Sequence, residues 1–148
     1  MKKSKTFISF DYDHDLDIKE TLVGQSKLAD SPFDIVDMSI KEAIDSNWKQ
    51  YARKRIRQCD VVIILCGRNT DSARGVTAEL TIAREEGIPY FLLAGHGTDS
   101  RRPHGCLATD NMYKWTWDNL KILINGGRRS DSQSLGLSPI HLIRRMMT

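Results

Sequence analysis

Residues 59–95 read CDVVIILCGRNTDSARGVTAELTIAREEGIPYFLLAG. They divide into three pieces with different periods. DVVIILCG (60–67) is a near-continuous β-branched and apolar run, the pattern of a strand covered on both faces. From Arg74 the apolar residues recur at helical spacing until Gly87 and Pro89 stop the helix. PYFLLAG (89–95) is apolar again and reads as the next strand. Strand, helix and strand in that order, with short links, predict a parallel βαβ unit.

The helix carries one anomaly. At about 100° per residue, Thr77, Thr81, Arg84 and Glu85 gather on a polar face. Val76, Ala78, Leu80, Ile82 and Ala83 spread around the rest. Glu79 falls among the apolar residues, roughly opposite the polar face. An acid in that position is either solvated at the helix margin or placed for use, and the wheel alone leaves both open. Glu86 projects near the same apolar sector.

The same unit repeats outward. KTFISFDY (5–12) reads as a strand and DLDIKETLVGQSKLA (15–29) as a helix with Asp15 as N-cap. FDIVDMS (33–39) is a second strand. NWKQYARKRIRQC (47–59) is a helix whose stripe is Trp48, Ala52, Ile56 and Cys59, which makes its basic run a solvated face. MYKWT (112–116) is a short edge strand, and TWDNLKILIN (116–125) a last helix. The expected fold is α/β, a three-layer sandwich around a central, mostly parallel five-stranded sheet. One domain spans residues 1–125. Residues 126–148 form a tail whose GGRRSDSQSLGLSP stretch reads as mobile and whose IHLIRRMM segment suits docking or interaction.

Bulk properties narrow the classes. The 148 residues are 40% hydrophobic and 28% charged, with a net charge of +3, which describes a soluble globular chain long enough for one core. No apolar run reaches transmembrane length, and TFISF (6–10) is too short for a signal-peptide core, so no membrane partner is expected. Three cysteines without CxxC spacing read as reduced thiols in a cytoplasmic protein. The mild basic excess is weak support for nucleic acid, and none is expected as a partner.

Open parallel sheets bind ligands beyond the carboxyl ends of their strands. That edge holds SFDYDHD (9–15), DMSIKEAIDSN (37–47), CGRNTDSARG (66–75) and AGHGTDS (94–100). It places Cys66, Gly67 and Arg74 among the candidate ligand-binding residues. It also places Glu79 near the crevice, one turn inside its helix and close to the positive end of the helix dipole, which suits an anion.

Several chemistries fail. DYDHDLD (11–17) alternates acids, but an EF-hand loop would need Gly and Glu where Leu16 and Leu22 stand. His96, Asp99, His104 and Cys106 match no ordinary zinc spacing, so no metal is expected. No GxGxxG, GxxxxGK[ST] or GxSxG occurs. Trp115 and Trp117 read as packing residues. What remains is one carboxylate at a polar crevice. That suits chemistry at a sugar anomeric carbon, where a fixed anion offsets the developing oxocarbenium charge.

TFISFDYDHD (6–15), the 59–95 stretch and MYKWTWDNL (112–120) resemble the TIR-like family, in particular the bacterial branch that includes the TIR proteins of Thoeris anti-phage defence. The resemblance covers about residues 5–125. It implies a flavodoxin-like fold and, for many bacterial members, cleavage of the nicotinamide–ribose bond of NAD. The product is ADP-ribose or a cyclic isomer that signals to a separate effector protein. NAD is then a substrate, with no resident cofactor. The resemblance maps the family's catalytic glutamate onto Glu79, nucleotide contacts onto Ser9, Phe10 and Asp11, and a loop used in assembly and at the site onto Asp37 to Asn47. Homo-oligomers through TIR-like surfaces follow from it. The Trp or Cys that often precedes the family's glutamate is missing from RGVTAE (74–79). Three other readings stay open: a nucleoside deoxyribosyltransferase-like enzyme, a non-catalytic interaction module, and a nucleotide sensor without turnover.

Overall fold

A computed structural model describes residues 3–40 and 47–127. The tail from residue 128, with the IHLIRRMM segment, and residues 41–46 lie outside the described residues. Five strands form one sheet: β1 (Ser4–Ser9), β2 (Phe33–Met38), β3 (Val61–Cys66), β4 (Tyr90–Ala94) and β5 (Met112–Lys114). Their order is β2-β1-β3-β4-β5, and every pairing is parallel. The sheet is therefore wholly parallel, where the sequence predicts mostly parallel. Among the described residues, three helices connect strands, α1 (Leu16–Ser26), α2 (Trp48–Arg57) and α3 (Arg74–Glu85), and α4 (Trp117–Ile124) follows β5. This is the expected flavodoxin-like α/β sandwich.

β3 explains why both faces must be covered. All six of its residues are buried, and successive side chains leave a strand on opposite faces. Val62, Ile64 and Cys66 pack with Ala52 and Ile56 of α2 and Val76, Leu80 and Ala83 of α3. Val61, Ile63 and Leu65 pack with Ile18 and Leu22 of α1 and Leu120 and Leu123 of α4. The central strand thus builds two cores, with α2 and α3 on one side and α1 and α4 on the other. Strand order reverses between β1 and β3, and a crevice opens at such a switch point.

β2 contains a bulge. Thr6 lies opposite Ile35, but Phe7 lies opposite Asp37. Val36 is therefore an extra residue. One inserted residue inverts which face the following side chains occupy. Before the bulge, Phe33 and Ile35 face the α1–α4 core. After it, Asp37 shares the face of Phe7, on the α2–α3 side.

The basic run of α2 is not merely solvated. Arg53 pairs with Glu85 at 2.7 Å, Arg57 with Glu86, and Arg55 with Asp37, its Nε donating to Oδ2 at 2.9 Å. Arg55 also lies over the Phe7 ring, 5.6 Å from its centre. These pairs fasten α2 to α3 and to β2. Trp115 and Trp117 do pack against the second core. Their indole N–H groups donate to Gln25 at 2.8 Å and Asp30 at 3.1 Å.

Asp15 occupies the N-cap position of α1, but its side chain makes no capping bond. It is 2% exposed and lies against Gly67, where a Cβ would come within 2.2 Å of Oδ2. Its other oxygen is 3.9 Å from His96 Nε2. Burial first, then the Asp11 charge, raises its pKa from 3.8 to about 6. An acid whose pKa is higher in the folded state binds its proton more tightly there. Folding is then penalised while the group is ionised, and the penalty is relieved as pH falls from about 6 towards 4.

Two outcomes follow from this contact. Asp15→Asn removes the charge at nearly constant shape, so it raises the melting temperature at pH 8, and the gain disappears by pH 4. Thermal denaturation across that range measures it, and an equal gain at both ends contradicts the account. Gly67→Ala destabilises the chain by about 1–3 kcal/mol through overpacking, and the loss shrinks in an Asp15→Ala background, as a denaturant double-mutant cycle measures.

Candidate active site

Glu79 is 1% exposed, although it is one turn into a helix with a polar face. It borders a cavity of about 230 Å³ at the carboxyl edge of the sheet. The burial follows from the wheel: Glu79 shares the core-facing side of α3 with Val76, Leu80 and Ala83. A buried carboxylate needs hydrogen-bond donors. The Ser9 hydroxyl donates to Oε1 at 2.7 Å, and the Ser39 hydroxyl donates to the same oxygen at 2.5 Å.

Both serines arrive there through strand parity. Ser9 closes β1 two residues after Phe7, so it faces α3. Ser39 follows β2 two residues after Asp37, and the Val36 bulge has already moved that side chain set to the α3 side. Its backbone N–H donates to the Ile8 carbonyl at 2.8 Å, which continues the ladder. The Phe10 N–H donates to Ser39 Oγ at 3.0 Å. The result is a relay from backbone to Ser39 to carboxylate, with every donor on a strand end or its first loop residue.

The rest of the cavity is built from the loop after β1 and the start of α3. Phe10, Asp11, Tyr12, Asp13 and His14 form one side, and Ser72 to Val76 the other. The Asp11 carboxylate accepts from the Asp13 N–H at 3.2 Å and contacts His14 Nδ1 at 2.7 Å. That contact raises the His14 pKa above its ordinary value. Phe10 and Tyr12 stack with ring centres 5.9 Å apart. Trp48 closes one side and Ile40 lies at another.

The candidate residues from the sequence divide. Glu79, Phe10, Asp11 and Arg74 line this cavity. Ser9 is fully buried and reaches it only through its bond to Glu79. Asp37, Cys66 and Gly67 do not line it. Asp37 is held by Arg55, because the bulge turns it towards α2. Cys66 is fully buried in the α2–α3 core, and burial pushes its thiol pKa far up, so it is no nucleophile. Gly67 is taken up by its approach to Asp15. Ser39 falls within the Asp37 to Asn47 loop that the resemblance maps to the site, but the sequence does not single it out. A reader of FDIVDMS who assumes unbroken alternation puts Ser39 on the same face as Phe33, away from α3, and nothing in those seven letters announces the extra residue.

His96, Asp99, His104 and Cys106 do not converge. His96 faces Asp15, Asp99 faces Arg68, His104 borders a different cavity and Cys106 packs on the first core. Among the described residues, the one His and acid cluster with metal-like spacing is Asp15, Asp17 and His96. None of the three cysteines is in a disulfide, and no described helix is long and apolar enough to cross a membrane.

Glu79 lies on α3, the helix after the third strand, which is where the TIR-like resemblance maps the family's glutamate. No curated protein matches the chain at a significant level. Residues 7–100, which run from the second half of β1 through β4 and include Ser9, Ser39 and Glu79, match the family described as Thoeris protein ThsB, TIR-like domain, and the chain belongs to that family.

Proposed function

We propose that the chain cleaves the nicotinamide–ribose bond of NAD, with Glu79 as its catalytic carboxylate. The observation that carries this reading is the burial of Glu79 at a cavity floor with two serine hydroxyls on one oxygen. Burying a charge is costly unless it is paired, and an acid needed only for solubility would sit among Thr77, Thr81 and Glu85 on the polar face.

The chemistry needs little else. Nicotinamide is bound to ribose as a cationic pyridinium. The C1′–N bond breaks with its electron pair passing to the base, which leaves neutral and needs no general acid. Positive charge moves to the ribose. Glu79 accepts hydrogen bonds from the ribose hydroxyls and offsets that charge, the role of a fixed anion in a preorganised site. A single carboxylate then suffices where ordinary glycosidases use two. Water, or a hydroxyl of the second ribose, adds to C1′ and loses its proton. The product is ADP-ribose or a cyclic isomer. Ser9 and Ser39 are positioning residues: they fix the carboxylate rotamer before substrate arrives.

Membership in the ThsB family supports a role in anti-phage defence, with the product acting on a separate effector protein in the cytoplasm and with activity rising on self-assembly.

Concentrated full-length protein incubated with NAD releases nicotinamide, read by mass spectrometry. Glu79→Gln lowers the rate by roughly 10²–10³-fold. Equal release by Glu79→Gln removes the residue from its role. Ser39→Ala loses one hydrogen bond to a charged group, worth about 1.5–3 kcal/mol, and lowers kcat by roughly 10- to 100-fold with little change in KM. A Ser39→Ala enzyme at full kcat contradicts the positioning role.

A further inference from the structure

The cavity over Glu79, at about 230 Å³, falls below the roughly 300–1,000 Å³ of sites that enclose drug-sized ligands. It suits a ribose and its base, and it is too small for a dinucleotide. A second cavity of about 660 Å³ adjoins it. Trp48, Ser72, Ala73 and Arg74 line both, so the two meet at the first turn of α3.

The second cavity is a groove along the polar face of α3. Thr77 and Thr81 form its floor, Lys49 and Arg53 of α2 one wall, and the loop bearing His104 the other. That loop is fastened in place. Arg84 Nη2 donates to the Gly105 carbonyl at 3.1 Å, and the Tyr90 hydroxyl donates to the Asp110 carboxylate at 2.9 Å. The groove is therefore formed before any ligand enters. This also gives the threonines a use: the face that reads as solvated in sequence is the floor of a cavity.

Charge at the seam favours an anion. The acids of the groove are engaged, Glu85 with Arg53 at 2.7 Å and Asp71 with Arg101 at 3.9 Å. Arg74 and Lys49 are exposed and have no ion-pair partner among the described residues. No side chain caps α3, so its first N–H groups add to the positive potential beside Arg74. Trp48 supplies the apolar part of the seam. Its ring lies beside Gly75, where a Cβ would stand 3.7 Å away.

We propose that a single chain binds the whole dinucleotide across these two cavities, with the reacting ribose over Glu79, the pyrophosphate at Arg74 and the second nucleoside in the groove between α2 and the His104 loop. The placement of the reacting ribose rests on the NAD reading above. The ligand class of the groove, a nucleoside diphosphate, follows from its size and from the exposed cations Arg74 and Lys49 that line it.

ADP is the probe, because it carries the second nucleoside and the diphosphate without the reacting half. Calorimetry with the full-length chain detects ADP binding. Arg74→Glu and Thr81→Trp each weaken it tenfold or more. Lys54→Glu, the same charge change on an exposed α2 residue outside the groove, leaves it within twofold. If Thr81→Trp fails to fold, Lys49→Glu replaces it at an exposed position, with the same tenfold expectation. No ADP binding at millimolar concentration overturns the proposal, as does an Arg74→Glu affinity equal to that of Lys54→Glu. Nicotinamide release is scored separately. Arg74-dependent ADP binding with NAD left intact upholds the groove and removes the reaction. NAD cleavage with ADP affinity insensitive to Arg74 and the groove floor upholds the reaction and removes the groove.

Discussion

The bond from two serine hydroxyls to one oxygen of Glu79 is the interaction on which the candidate site depends. A carboxylate at 1% exposure inside an otherwise apolar helix face would carry a desolvation cost of several kcal/mol if it were unpaired. Ser9 and Ser39 offset that cost, and they do so from two different strands. The acid therefore couples α3 to the carboxyl ends of β1 and β2, just where a parallel sheet opens its crevice. Structural and chemical roles coincide here: the donors that make the burial tolerable also hold the carboxylate in one orientation beside a cavity.

Strand parity produces this arrangement, and parity in β2 is set by one residue. With regular alternation from Phe33, Ser39 would face the α1–α4 core and Glu79 would lose its hydroxyl. Val36, the extra residue between Ile35 and Asp37, turns both Asp37 and Ser39 to the other side. Asp37 then meets Arg55 and anchors α2, and Ser39 meets Glu79. A local irregularity in an edge strand thereby serves both the packing of a helix and the geometry of the site, the use to which bulges near functional sites are put.

Much of this was legible in the letters. The unbroken VVIILC run could only be a strand with both faces covered, and the alternation of strands and helices led to a parallel sheet. Glu79 stood out because a charge interrupted an apolar arc of α3. What the letters concealed were features set by tertiary contact. The bulge at Val36 has no composition signal, so nothing in the letters turns Ser39 towards Glu79 or Asp37 towards Arg55. Asp15 has the right residue type and place for an N-cap, but the close approach of Gly67 draws its carboxylate into the interior. The arginines of α2 looked solvated because their acidic partners, Asp37, Glu85 and Glu86, lie 18 or more residues away. The threonine face of α3 looked solvated for a related reason, since the loop that walls it in comes from beyond β4.

The central claim is that the Glu79 carboxylate receives a sugar. A crystal structure of the chain with a non-cleavable NAD analogue, the ring oxygen of its nicotinamide-bearing ribose replaced by carbon, tests this most directly. The account predicts that the hydroxyls of the nicotinamide-bearing ring lie within hydrogen-bond distance of Glu79, roughly 2.6–3.2 Å, with Ser9 and Ser39 still donating to the same carboxylate. An analogue bound elsewhere, with Glu79 sealed beneath its two serines and no ligand atom near it, would contradict the account and leave the acid as a brace between α3 and the sheet.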